Sequence, residues 1–523
     1  MYDVAIVGYG PVGAVAAALL GQAGLKVFVC DRLPGVYEIP RAIALDHEIM
    51  RVFQQIGVVD AVLPHTEPFT NSEWFGADGQ LIRRMTMVAP PYPQGYTPSI
   101  VFSQPPVERV LRERVAQLPQ VTVALATEAT AMQQDSEGVT LSLRDAGGQT
   151  SSVRAHWLIG CDGGGSAVRA WAGLALDDLD FDEPWLVVDL HVNLQGLAKL
   201  PRTSVQFCEP ERPCTMVIGP GNHRRWEISL KPGEDAQQAA TPEGSWALLK
   251  RWLTPEDATL WRQASYRFHA LVAQRWRAGR VFVAGDAAHM QPPFLGQGMC
   301  QGVRDVANLS WKLAAVLKND VTGDAAQALL DSYGQERQAH VRSLTQKLKG
   351  MGAVICERDP VRARARDAQL LADGGGLVKD TPRQDVLPRL ESGCLSARES
   401  TGRGTLFPQP RLQGGALMDS RFGTGWRLVT GDAMTTLRAN QPGLTTVALA
   451  CADNAEIEGV VGQWMQRHHC HAALLRPDHH VYGTAGSDAE IETLLAEWRL
   501  ALADHAKPAN PSPQAPKPPT PSR

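Results

Sequence analysis

The chain has 523 residues, 44% hydrophobic and 20% charged, a length and balance that allow two or three domains with cores of their own. Lys and Arg number 51 against 55 Asp and Glu, a net charge of -4 with no basic block, so neither nucleic acid nor a membrane is an expected partner. No run approaches the ~18 apolar residues of a membrane span. Met1 stands almost directly before the first core strand, which leaves no room for a signal peptide, and the nine cysteines are scattered without a CxxC pair; together these point to a cytoplasmic protein with reduced thiols.

The first apolar run, Asp3-Val4-Ala5-Ile6-Val7, predicts a strand that feeds Gly8-Tyr9-Gly10-Pro11-Val12-Gly13. This spacing marks a dinucleotide site. Gly8 allows a tight turn, Gly10 lets backbone approach a pyrophosphate, and Gly13 lets the following helix pack on the strand. That helix is expected over 11–22, with Pro11 tolerated because first-turn amides lack intrahelical partners and point at the phosphates. A second strand over 26–30 ends in Asp31 and Arg32, which sets a carboxylate where an adenosine ribose offers its hydroxyls.

Further along, Trp157-Leu-Ile-Gly-Cys161 is an apolar strand running into Asp162-Gly163-Gly164-Gly165-Ser166 and a helix carrying Arg169. Such a turn brings backbone close to a cofactor beside a phosphate-pairing arginine, or is simply a tight strand-helix connection. From 176 to 270 strand-like runs such as 185–192 and 225–230 alternate with Pro/Gly turns and predict an antiparallel sheet roofing a pocket. A third element follows: the strand Arg280-Val-Phe-Val-Ala284 delivers Gly285 and Asp286, and Pro293-Phe-Leu-Gly296-Gln297-Gly298-Met299-Cys300 opens a helix over 298–317. Asp286 suits the ribityl hydroxyls of a flavin, or alone a turn, and the helix's free amides suit the pyrimidine edge of a reduced ring. More helix is expected to 355, and 356–400 has no clear period and reads as a connecting segment.

The remainder, 401–505, alternates strand and helix in the order of a thioredoxin-like fold without its CxxC and closes with a Ser487…Glu490 capping box. Residues 506–523, rich in Pro, Lys and Ser, are expected to be disordered. His468, His469, Cys470, His471, His479 and His480 match no tetrahedral spacing and are read as an exposed polar face, with no metal. His191 is read as an outer-face histidine. Arg225 and Arg212 suit a substrate carboxylate or simply the surface, and Trp226, Trp276 and Trp311 suit the core.

Taken in order, the three glycine-acid elements resemble the single-component FAD-dependent aromatic hydroxylases over roughly residues 1–345. Arg41-Ala-Ile-Ala-Leu-Asp46-His-Glu48, Arg225-Trp226-Glu227, Pro293-Phe-Leu-Gly-Gln-Gly-Met299 and Arg476-Pro477-Asp478 are similar to the 3-(3-hydroxyphenyl)propionate hydroxylase branch. The resemblance implies an α/β fold: a Rossmann-like, glutathione-reductase-type FAD-binding domain in two parts (1–175 and 271–355), an inserted antiparallel substrate-binding sheet (176–270), and the thioredoxin-like unit. It places Gly8, Gly10, Pro11, Val12, Gly13, Asp31 and Arg32 at ADP, Arg41 near the pyrophosphate and Gln104 at the start of a helix with Glu108 and Leu111. Asp162, Gly163 and Arg169 match the short motif serving FAD and nicotinamide, Gly285 and Asp286 the ribityl chain, and Pro293, Gly296, Gly298, Met299 and Cys300 the ring. Cys300 stands where many relatives carry asparagine.

The implied activity is hydroxylation of a phenol, such as a hydroxyphenyl alkanoic acid, by FAD with NADH or NADPH and dioxygen in aromatic catabolism, with a homodimer as candidate assembly. Sequence alone names no catalytic residue. A polyketide or N-heterocycle substrate and a non-catalytic FAD-binding module are the alternatives; a flavin halogenase lacks its lysine motif here.

Overall fold

The computed structural model describes residues 1–431 and 442–502. The 506–523 tail lies outside the described residues, as do 432–441 and 503–505 of the last expected unit.

The opening strand Tyr2–Val7 lies between Val27–Cys30 and Thr150–Gly160, parallel to both, and Val281–Val283 pairs parallel on the far side of Thr150–Gly160. Parallel strands covered by helices are buried on both faces and therefore read as unbroken apolar runs, as Val27-Phe-Val-Cys30 does. The chain thus leaves this sheet after Gly160 and returns to it through the edge strand Arg277–Ala278 and then Val281–Val283. Helix Pro11–Gln22 packs against helix Gly298–Leu317 beneath the sheet. Its Ala-rich sequence fits because ten of its residues are buried, on all sides.

A second, nine-stranded sheet runs in the order His289–Met290, Ala258–Ala273, Leu176–Val192, His223–Ser229, Cys214–Ile218, Ser204–Phe207, Ser72–Phe75, Leu81–Thr86, Lys379–Pro382. Its central strands are antiparallel. The sheet reaches past 176–270 at both edges: on one side Ser204–Phe207 recruits Ser72–Phe75 and Leu81–Thr86 recruits Lys379–Pro382, each as a parallel pair, and on the other Ala258–Ala273 takes His289–Met290 antiparallel.

Residues 356–400 are more than a connector. Helix Pro360–Asp373 is capped by Asp359, whose Oδ1 accepts the Val361 and Arg362 N–H groups. Its buried Asp367 accepts the Ala77 N–H at 2.7 Å, which pins the helix to the hairpin 72–86. Charge at every turn of this helix hides its period, because only Ala363 and Asp367 are buried.

The last unit is a four-stranded sheet ordered Leu444–Ala448, Trp426–Thr430, Ala472–Leu475, Val481–Ala485, with only the first pair parallel. Buried ions join it to the rest. Arg51 Nε meets Asp419 Oδ2 at 2.5 Å, Arg476 Nη2 meets Glu336 Oε2 at 2.7 Å, and Asn308 Nδ2 donates to Asp478 at 3.0 Å.

Candidate active site

The glycine turn has the sterics its sequence implies. Gly8 holds φ +99°, and a Cβ there would lie 2.3 Å from the Cys161 carbonyl oxygen. At Gly13 a Cβ would lie 2.0 Å from the Gly8 carbonyl oxygen. Gly10 differs, since nothing in the protein lies within 4 Å of a Cβ placed there, and the residue faces a cavity. Asp31 anchors the turn by accepting the Tyr9 N–H at 2.6 Å on Oδ2 and the Leu33 N–H on Oδ1. Each carboxylate oxygen keeps acceptor capacity beyond those bonds.

The two later turns are clamped to one another. Arg169 donates to Gly164 O at 2.8 Å and to Ala287 O at 2.9 Å, so its guanidinium ties the Asp162-Gly163 turn to the Gly285-Asp286 turn. Asp162 caps its own helix, accepting from Ser166 Oγ and the Val168 N–H. Behind Gly285 stands Asp305, which accepts the Gly285 N–H at 2.9 Å, His289 Nε2 at 2.7 Å and Arg337 Nε at 2.9 Å. Burial alone would raise the Asp305 carboxyl, and His289 with Arg337 more than reverse this. Gln104 Oε1 accepts the Arg41 and Ala42 N–H groups at 3.0 and 2.7 Å and so fixes the backbone that carries Arg41.

These turns converge on one cavity of about 590 Å³. Gly8, Gly10, Pro11, Val12, Asp31, Arg32, Arg41, Gln104, Asp162, Gly163, Gly285, Asp286, Pro293, Gly296, Gly298 and Met299 all line it. Three expected contact residues stand behind its wall. Gly13 is occupied with packing on Gly8, Arg169 with its clamp, and the buried Cys300 thiol with the Ala44 carbonyl at 3.6 Å. Asp286 is surrounded by protein yet open to the cavity, and that desolvation pushes its carboxyl above the usual range. Gly298 and Met299 lie in the first turn of their helix, where backbone N–H groups have no intrahelical acceptor.

The far wall is the face of the nine-stranded sheet. Val187, Ser204, Gln206, Thr215, Val217, Arg225 and Glu227 line it, with Phe69, Phe294 and Leu295 supplying apolar cover. Arg225 is buried and committed: Nε and Nη2 meet Asp189 at 2.7 and 3.1 Å, and Nη1 donates to Arg41 O. Arg383 donates to Leu295 O at 2.6 Å and lies over the Phe69 ring at 4.3 Å, with no carboxylate within ion-pair distance among the described residues. Burial pulls its guanidinium down to about 10.

Sequence reasoning missed Asp305, Arg383 and the role of Glu227. Only Asp305 carried a signal, as an acid inside the apolar stripe of Val303, Val306 and Leu309. His191 is exposed and stacks on Trp261 at 4.5 Å, away from the cavity. Arg212 pairs with Glu234 at the surface. The reading of the late His/Cys cluster as an exposed face fails at Cys470, His479 and His480, which are 8%, 1% and 9% exposed. His479 has φ +68° and is drawn inward by Arg427 and Asp419, so strand alternation does not apply to it. Among the described residues no group of three or more His, Cys, Asp or Glu is placed to hold a metal, and no helix is long and apolar enough to cross a membrane.

A family model described as an FAD binding domain matches residues 1–348. The probable NADH-specific resorcinol 4-hydroxylase of Rhodococcus jostii (strain RHA1) is 37% identical, with 96% of this chain and 95% of that protein covered. The 3-(3-hydroxy-phenyl)propionate/3-hydroxycinnamic acid hydroxylase of Klebsiella pneumoniae (strain 342) is 31% identical, covering 97% and 96%. Among solved structures, the flavin-dependent monooxygenase PieE with FAD and substrate superposes with a TM-score of 0.78 at 22% identity, covering 96% of this chain and 99% of that one. Aklavinone-11 hydroxylase with FAD and aklavinone gives 0.78 at 24% over the same shares, and both likenesses bear on the fold alone.

Proposed function

The chain belongs to the FAD-binding family of flavin-dependent aromatic hydroxylases, in the branch of the resorcinol and 3-hydroxyphenylpropionate hydroxylases, and on that premise we propose that its substrate is a single-ring phenol with a polar substituent meta to the hydroxyl. Both substrates named for the relatives have that pattern: resorcinol carries a second hydroxyl there, and 3-(3-hydroxyphenyl)propionate an acid chain. We propose NADH as the reductant, in line with the name of the 37% identical relative.

The residues present fit FAD. Gly10 leaves a cradle that a Cβ would enter, and Asp286 offers an exposed carboxylate edge deep in the same cavity. In this reading Gly8, Gly10 and the first amides of helix Pro11–Gln22 hold the pyrophosphate, with Arg41 nearby. Asp31 and Asp286 accept from the ribose and the ribityl chain, and the amides at Gly298 and Met299 face the ring's pyrimidine edge. When bound, FAD takes a hydride from the nicotinamide and, reduced, activates dioxygen so that one oxygen atom enters the ring and the other leaves as water. The chain's own contribution is to orient the phenol against the sheet face and to keep water out with Phe69, Val217, Phe294 and Leu295.

The single observation that carries this reading is the convergence of three distant turns and the sheet face on one cavity. The test is NADH oxidation by the FAD-loaded protein with resorcinol and with 3-(3-hydroxyphenyl)propionate. We expect stimulation and a product heavier by one oxygen atom; no stimulation and no such product from either phenol would overturn it. Arg383 supports a second reading in which the meta substituent is an acid chain, because a half-buried guanidinium without an acid partner among the described residues suits a substrate carboxylate. We read the last unit as thioredoxin-like from its strand order, with the first and second strands parallel and the third and fourth antiparallel beyond the first.

A further inference from the structure

Glu227 lies at the centre of the sheet face that closes the cavity. Its strand neighbours in register are Thr215 on one side and Val187 on the other. The Thr215 hydroxyl is spent on Gln206 Oε1 at 2.6 Å, and Val187 offers only carbon. Arg225, two residues away and on the same face, is committed to Asp189 and the Arg41 carbonyl, while Arg262 on the strand beyond donates to the Pro40 carbonyl and to Tyr266. Glu227 is 8% exposed, lines the cavity, and its carboxyl makes no hydrogen bond or ion pair among the described residues. A buried carboxyl that its neighbours leave unsatisfied carries a desolvation cost that a ligand hydroxyl would relieve.

We propose that Glu227 is the base that takes the proton of the substrate's hydroxyl. This rests on the phenol hydroxylase reading. The substrate O–H bond breaks, its electron pair stays on oxygen and spreads into the ring, and a new O–H bond forms on a Glu227 carboxylate oxygen. The ring then carries more negative charge at the positions ortho and para to that oxygen, where an electrophilic oxygen atom is received. The ring carbon that received the oxygen gives up its hydrogen as a proton to the oxygen atom that departs as water, and Glu227 returns its own proton to the substrate's oxygen as the product leaves, so the carboxylate is restored without a further reactant.

Burial pushes the Glu227 carboxyl up to about 7; Arg225 and Arg262 oppose that shift and Asp189 adds to it. The other titratable groups around it are Tyr266 on the strand beyond, His223 hydrogen-bonded to Asp189, and Cys214 on the opposite face of the adjacent strand. A base poised near the working pH combines availability with driving force.

The test uses the FAD-loaded full chain with resorcinol and with 3-(3-hydroxyphenyl)propionate, and measures product per NADH consumed from pH 6 to 10. Wild type should show hydroxylation rising through an acidic limb near 7. In Glu227→Gln, hydroxylation at pH 7 should fall by ~100-fold or more. FAD content should be retained, and the limb should be replaced by a rise near pH 10 where a phenol ionises unaided. If Glu227→Gln does not load FAD, Glu227→Asp carries the test, and its limb must move from the wild-type position. A wild type without a limb between pH 6 and 8, a Glu227→Gln that keeps the wild-type limb and coupling, or a Glu227→Asp limb that stays in place overturns the proposal. A wild type that hydroxylates neither phenol overturns instead the functional reading beneath it.

Discussion

Gly10→Ala separates cofactor recognition from folding in one substitution. Gly10 has φ -70° and ψ -174°, extended backbone that alanine adopts without strain, and its added methyl would meet no protein atom within 4 Å. Replacing glycine at such a site stabilises by ~0.4–1 kcal/mol through the unfolded chain, so the flavin-free protein should melt within about 2 °C of wild type or slightly above. The same methyl stands where the pyrophosphate must meet backbone N–H groups. Loss of one charge-assisted hydrogen bond costs ~1.5–3 kcal/mol, a rise in the FAD Kd of about 10- to 150-fold. Gly13→Ala is the control, because its Cβ would lie 2.0 Å from the Gly8 carbonyl oxygen. Overpacking of that kind costs ~1–3 kcal/mol and should lower the melting temperature with or without flavin. Quenching of flavin fluorescence gives the Kd, and melting of the stripped protein gives stability. A Gly10→Ala protein that binds FAD as tightly as wild type would refute the reasoning.

Arg383→Met should raise the KM for 3-(3-hydroxyphenyl)propionate at least tenfold and leave that for resorcinol within about threefold, since a hydrogen bond to a charged group is worth ~1.5–3 kcal/mol; equal changes for both would remove the acid-chain reading. Asp305→Asn keeps the side-chain shape but breaks the buried pair with Arg337, a loss of ~3–5 kcal/mol. It should appear as a lower melting temperature and poorer FAD retention, and normal values for both would show that the Gly285 N–H needs no anchor. Glu336 is set apart by its two cations. Burial alone would raise its carboxyl, but Arg476 and Lys312 hold it at about 2 against an ordinary 4.5. A depressed folded value means stability that is complete above 4.5 and lost as pH falls from there towards 2. Glu336→Gln should therefore melt lower than wild type at pH 7, with the gap closing in that window; a constant gap across it would contradict the assignment.

What was legible in the chain was what a single residue imposes locally. Gly8 and Gly13 must be glycines for steric reasons internal to the turn, Gly10 leaves its room on the cavity side, and helices Pro11–Gln22 and Gly298–Leu317 begin and end where the sequence places them. The substrate wall was not legible because strand register assembles it. Thr215 meets Glu227, and Ser204 meets Ser72, only once distant strands have paired. Arg383 sits in a stretch without apolar rhythm, and its importance comes from what surrounds it. His479 and His480 were misread for the same reason: their burial follows from Asp419, Arg427 and Asp478, which lie elsewhere in the chain or across a tight turn.

The buried ions between the last unit and the first have a consequence for how the chain comes apart. Removing residues after about 400 would take Asp419 from Arg51 and Arg476 from Glu336, leave Glu336 with Lys312 alone, and open to water a face built to be covered. The polypeptide is therefore expected to melt as one body under calorimetry, and a protease that nicks it between these parts should yield fragments that stay associated until denaturant or acid releases them.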